Sequence, residues 1–122
     1  MNTAGATECS WEVDGLHIAG LAWGDPQKSP MLALHGWLDN ANSFAMLAPL
    51  LDDFHVIALD LTGHGKSSKR SADASYQVYD DIPQIIGVVD QLGWESFALM
   101  GHSRGAIIAS IVAASFPERI HR

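Results

Sequence analysis

Residues 96–106 read SFALMGHSRGA, and at their centre Gly101-His102-Ser103-Arg104-Gly105 forms a G-x-S-x-G pentapeptide. An apolar, strand-like stretch precedes it (Phe97-Ala98-Leu99-Met100), and a run of helical character follows it (Ala106 through Ala114). In that context the pentapeptide reads as a strand reversing sharply into a helix, with Ser103 at the tip as a candidate nucleophile. So tight a reversal strains the backbone of its central residue, so Ser103 is expected at positive φ. Side chains two residues to either side would collide, which favours glycine at Gly101 and Gly105. The helix directs its first N–H groups toward any negative charge that forms beside the serine. The plain alternative is a serine in an ordinary strand–helix turn.

A second constellation, Leu34-His35-Gly36-Trp37-Leu38-Asp39-Asn40-Ala41-Asn42-Ser43-Phe44, follows the wholly apolar run Met31-Leu32-Ala33-Leu34. Acyl transfer needs donors for a tetrahedral oxyanion, and two backbone N–H groups are the usual solution. The order of the two motifs nominates the N–H of Arg104, after the serine, and that of Trp37, in the loop after the neighbouring strand. Gly36 allows close backbone approach, and His35 sits at the strand end as a supporting residue. A plain turn with Trp37 as a core aromatic is the competing reading.

The third, Asp60-Leu61-Thr62-Gly63-His64-Gly65-Lys66-Ser67, superficially resembles a phosphate loop. Asp60 stands where a Walker pattern needs glycine, and Ser68 where a G-x-G-x-x-G pattern needs its third glycine. It reads as a structural loop in which Asp60 and Ser67 bond the backbone. The six histidines form no metal-ligand pattern, so neither metal nor cofactor is expected.

The remaining elements follow from periodicity and turn residues. Trp11 through Trp23 reads as a hairpin turning at Asp14-Gly15. Residues 55–59 are a second buried strand, and Asn42-Ser43 caps a short helix through Leu51. Apolar residues at helical spacing from Val78 to Leu92 predict a helix starting near Asp81, with Asp80 or Asp81 as cap, Pro83 in its first turn and Gly93 at its end. The last helix runs to about Phe116. Strands alternating with helices imply a mostly parallel sheet with helices on both faces. The expected organisation is a loose tail over 1–10 and one domain over 11–122.

Bulk composition narrows the partners. The chain has 122 residues and a net charge of −7, which argues against nucleic acid or anionic lipid. One cysteine, Cys9, can build neither a disulfide framework nor a thiolate zinc site. Residues 1–10 lack a secretory pattern, and no apolar stretch is long enough to span a bilayer, so a cytoplasmic setting without membrane partners is expected.

Together, Leu34–Phe44, Asp60–Ser67 and Met100–Ala106 resemble the α/β-hydrolase superfamily. The run HGWLDNANSF is especially similar to serine-hydrolase-like proteins in the branch near epoxide hydrolases and haloalkane dehalogenases. The resemblance implies an α/β-hydrolase fold with Ser103 as nucleophile and Trp37 as an oxyanion donor. Relatives with aspartate at the elbow form an alkyl-enzyme ester, so Ser103 implies acyl-enzyme chemistry on an ester or related acyl substrate. Carbon–carbon bond hydrolysis, thioester hydrolysis, acyl transfer and a non-catalytic binding role stay open. The family's order is serine, acid, histidine. The resemblance therefore puts the triad acid and histidine, the cap and the later strands beyond Arg122, and implies that these residues are the N-terminal half of a hydrolase, an incomplete fold. Its last strand would then be an exposed apolar edge, inviting self-association or a complementing chain.

Overall fold

Asp14 and Gly15 both adopt positive φ, 51° and 79°. That backbone twist suits the strands of a two-residue hairpin, and it joins β1 (Thr7–Val13) to β2 (Leu16–Trp23). The computed structural model describes residues 5–36, 40–62, 64–67 and 78–121. β1 begins inside the stretch expected as a tail. Residues 7–10 are strand because they have a partner: Thr7 through Ser10 pair with Ala22 through Ala19.

The sheet is completed by β3 (Ser29–Leu34), β4 (Phe54–Leu59) and β5 (Ala98–Gly101), in the order β1-β2-β4-β3-β5. β3 pairs parallel with β4 on one side and β5 on the other, and β2 meets β4 antiparallel. The three apolar runs are therefore neighbours, with β3 in the middle and the hairpin beyond β4.

Alternation along the central strands splits the core into two layers. Leu32, Leu34, Ile57 and Leu59 face α1 (Ile82–Leu92) and α2 (Arg104–Ser115), packing with Ile85, Val88, Val89, Ile108 and Val112. Met31, Ala33, Val56 and Ala58 face the other way, against Ala41, Phe44 and Ala48. That second face carries two 3-10 turns, Ala41–Phe44 and Ala48–Leu50, rather than the helix expected through Leu51. Pro49 supplies the reason: it lacks an N–H, and its ring clashes with the preceding turn of a helix. Asn40, not Asn42 or Ser43, caps the first turn, accepting from the Asn42 N–H at 2.8 Å.

α1 follows the irregular turn Val78–Asp81 and ends at Gly93, which adopts φ 74°. Asp81 sits at the cap position but makes no side-chain capping bond. Beyond α2, the Phe97 N–H donates to the Arg119 carbonyl (2.8 Å) and the His121 N–H to the Phe97 carbonyl (3.2 Å), an isolated parallel bridge at the residue before β5. Among the described residues no helix is long and apolar enough to cross a membrane.

Leu32 is fully buried at the centre of the sheet. Leu32→Ala is expected to cost about 2–5 kcal/mol through lost burial and the cavity left behind. Urea unfolding with an unchanged slope would verify it, and a cost below about 1 kcal/mol would contradict the layer assignment.

Candidate active site

The parallel register places Leu34 opposite Gly101, so the chain leaves β3 and β5 at the same level of the sheet. The His102 N–H still reaches the Leu34 carbonyl (3.0 Å), extending the ladder by one bond. The next residue, Ser103, turns at φ 57° and ψ −119° and begins the run into α2. Only Asp14 shares a positive φ among the described non-glycine residues. The side chain of Ser103 is exposed at the crest of the turn.

Close approach explains the flanking glycines. A Cβ on Gly105 would strike the carbonyl oxygens of Leu34 and His35, the latter at 2.6 Å, and one on Gly101 would meet the Gly105 carbonyl oxygen at 2.5 Å. α2 thus starts in contact with the backbone of β3. A Cβ on Gly36 would lie 3.2 Å from the Ser103 Cβ, so Gly36 leaves the floor beside the serine open.

The loop after β3 is anchored at both described ends by the segment after β4. His35 is completely buried, and the Leu61 N–H donates to its Nε2 at 2.9 Å. A backbone N–H can only donate, so Nε2 carries no proton, and Nδ1–H donates to the Gly36 carbonyl at 2.7 Å. His35 is therefore held as one neutral tautomer. At the other end, the Ala41 N–H donates to Asp60 Oδ1 (2.7 Å), while Asp60 Oδ2 accepts from the Lys66 N–H (2.9 Å). Ser67 Oγ accepts from the Ala19 N–H (2.8 Å) and donates to the Asp60 carbonyl. These bonds make residues 60–62 and 64–67 the structural loop that the sequence predicted. His64 belongs to it: its Nδ1 donates to the Thr62 carbonyl (3.0 Å), and its ring lies 5.0 Å from that of His35.

Trp37 lies outside the described residues. Arg104 opens α2. Its guanidinium lies 3.7 Å from Asp81 Oδ2. Asp81 Oδ1 accepts from the Thr62 hydroxyl (2.6 Å) and backbone N–H (3.3 Å). The carboxylate expected to cap α1 is therefore engaged between the β4 loop and the strand–helix turn. Sequence reasoning missed this link, because an aspartate before a helix reads as a cap and nothing local joins positions 62, 81 and 104.

Other reactive groups stand apart from this cluster. Cys9 lies half-buried on β1; burial, helped by the Asp60 carboxylate, pushes its thiol up to about 11. A cleft of about 810 Å³ beside β1 and β2, lined by Cys9, His17, Asn42 and Lys66 among others, does not reach Ser103. Among the described residues no group of three or more His, Cys, Asp or Glu side chains could hold a metal ion.

A family model described as the alpha/beta hydrolase fold matches residues 29–122. A serine hydrolase-like protein of Dictyostelium discoideum is 48% identical over 111 residues, covering 88% of this chain and 31% of its own length. A human serine hydrolase-like protein is 44% identical over 107 residues, covering 87% of this chain and 53% of its own. The crystal structure of a hypothetical protein from Pseudomonas aeruginosa superposes with a TM-score of 0.90 at 45% identity, over 94% of this chain and 41% of that one. The chain thus spans about a third to a half of the length of these curated relatives.

Two measurements examine the geometry. Gly105→Ala is expected to destabilise by on the order of 3 kcal/mol, because the β3 carbonyls it strikes are fixed in the sheet; an unchanged melting temperature would refute the contact. Cys9, with its thiol near 11, should react with iodoacetamide at pH 8 about a hundredfold more slowly than an ordinary exposed cysteine. Comparable rates would mean that β1 is open at that position.

Proposed function

The chain belongs to the α/β-hydrolase fold family, and on that footing we propose that it carries the nucleophile and oxyanion hole of a serine hydrolase acting on carboxylic esters or related acyl substrates. One observation carries the reading: Ser103 holds φ 57° and ψ −119° at the crest of the β5–α2 turn, exposed, with the N-terminus of α2 behind it. Such backbone strain persists only where the surroundings impose it, and it is concentrated at functional sites. Here the imposed conformation presents a hydroxyl at the positive end of a helix.

In this reading Ser103 Oγ attacks the acyl carbon as its proton passes to a general base. The carbonyl oxygen takes the electron pair and rests against the Arg104 and Trp37 N–H groups. The ester C–O bond breaks, the alcohol leaves with the proton, and water hydrolyses the Ser103 ester by the same steps. His35 is a poor base here, because the Leu61 N–H occupies its Nε2 and its Nδ1 proton is engaged with Gly36. The base and its orienting acid are proposed to lie beyond residue 122, as the family's chain order implies. Names of relatives support the hydrolase class: two are serine hydrolase-like proteins.

In the full-length hydrolase, Ser103→Ala should lower turnover of a p-nitrophenyl ester by about a million-fold, the scale of losing a triad nucleophile. A variant that keeps its turnover would remove Ser103 from the mechanism. Residues 1–122 expressed alone should show no Ser103-dependent hydrolysis and should self-associate in light scattering, because β5 ends the sheet among the described residues. An active, monomeric 1–122 chain would refute both expectations.

A further inference from the structure

We infer that Asp81 is a positioning residue for the oxyanion hole: its buried carboxylate, seated on Thr62, holds the Arg104 side chain and so fixes where the Arg104 N–H points. The inference rests on the reading of Ser103 and Arg104 given above. It starts from a choice the chain makes. Asp81 stands at the cap of α1, where an aspartate ordinarily accepts from the first helical N–H groups. Instead its side chain makes no capping bond and turns to Thr62 and Arg104.

Burying that carboxylate is costly unless it is paired and hydrogen-bonded. The Asp81 side chain is 3% exposed and that of Arg104 12%. The Thr62 hydroxyl satisfies one oxygen at 2.6 Å and the guanidinium lies 3.7 Å from the other. A buried pair of this kind is weak evidence for stability, since well-packed apolar residues often serve as well, but it does select one arrangement. What it selects here is the orientation of the first residue of α2. Arg104 follows a residue at φ 57°, and its N–H shares a peptide plane with the Ser103 carbonyl, which accepts from the Ala106 and Ile107 N–H groups (2.9 and 3.3 Å). The Asp81 tether adds a side-chain restraint to those backbone bonds.

The anchor of that tether is shared with the other arm of the proposed hole. Leu61, next to Thr62, donates its N–H to His35, at the root of the loop that carries Trp37. Leu61-Thr62 therefore links to the loop after β3 through the His35 ring and to the β5–α2 turn through Asp81. The described root of the loop after β3 and the β5–α2 turn are thus both tied to one dipeptide. A donor misplaced by a fraction of its hydrogen-bond length loses much of its value in a transition state, where geometry is decisive.

The test uses the full-length hydrolase and three variants: Asp81→Asn, Arg104→Lys, and the double variant Asp81→Asn/Arg104→Met, which removes the pair without leaving a lone buried charge. For a p-nitrophenyl ester, Asp81→Asn and the double variant should each lower kcat about 10- to 100-fold with KM within about twofold, less than outright loss of a donor. Arg104→Lys, which keeps the charge, should recover part of the loss. The double variant should be no worse than Asp81→Asn, because the two residues act as a unit. A double variant that melts normally and keeps wild-type kcat would overturn the inference, as would a loss confined to KM. Amide hydrogen exchange over residues 101–107 provides a readout independent of turnover. The Gly105 and Ala106 N–H groups bond His102 and Ser103 carbonyls in the turn (both 2.9 Å), and they should exchange several-fold faster without Asp81. Unchanged exchange there would also overturn it. If instead Ser103→Ala keeps its turnover, the serine-hydrolase reading fails, and the exchange measurement still decides whether Asp81 orders this turn.

Discussion

The candidate site depends on the parallel pairing of β3 with β5 in the register Leu34↔Gly101. A parallel pair sends both chains off the same edge of the sheet, so the loop after β3 and the turn after β5 begin side by side. A one-residue slip would turn each buried strand face outward and separate Gly36 from Ser103. The register is held from two directions. Leu32 and Leu34 must face α1 and α2 while Met31 and Ala33 face the 3-10 turns. At the end of the pair, α2 starts so close to β3 that only a glycine fits at position 105. Core packing and the local steric constraint thus enforce one geometry.

The segment after β4 is the second requirement. Asp60 accepts from Ala41 and Lys66, Leu61 donates to His35, and Thr62 holds Asp81. These bonds convert a loop into an anchor for the elements on both sides of β4. None of the residues involved performs chemistry in the proposed reaction. In the proposed reaction they keep donors and nucleophile in place before a substrate arrives, which is where electrostatic catalysis gains most of its advantage.

Much of this was legible in the chain. The three apolar runs, the turn at Asp14-Gly15, the end of α1 at Gly93 and the positive φ of Ser103 follow from rules that act over a few residues. The elements that differed were decided by tertiary contacts or by competition between local rules. Residues 7–10 look polar and loose until β2 offers them a ladder. The segment 42–51 has a helical start, but Pro49 divides it into two short turns. Asp81 has the identity and position of a cap, yet its carboxylate finds buried partners at 62 and 104, which no local pattern connects. The paired role of His35 and Leu61 was likewise invisible, since a histidine beside Gly36 gives no sign of which nitrogen accepts.

Whether Ser103 is the residue that becomes acylated decides the proposed reaction, and covalent labelling reads it without a substrate. The full-length hydrolase would be treated with a fluorophosphonate, which phosphonylates an activated serine, and the adduct located by peptide mass spectrometry. A single adduct is expected on the peptide containing Gly101–Gly105, at Ser103, and none in Ser103→Ala. Stoichiometric labelling at another serine, or persistence of the adduct in Ser103→Ala, would contradict it.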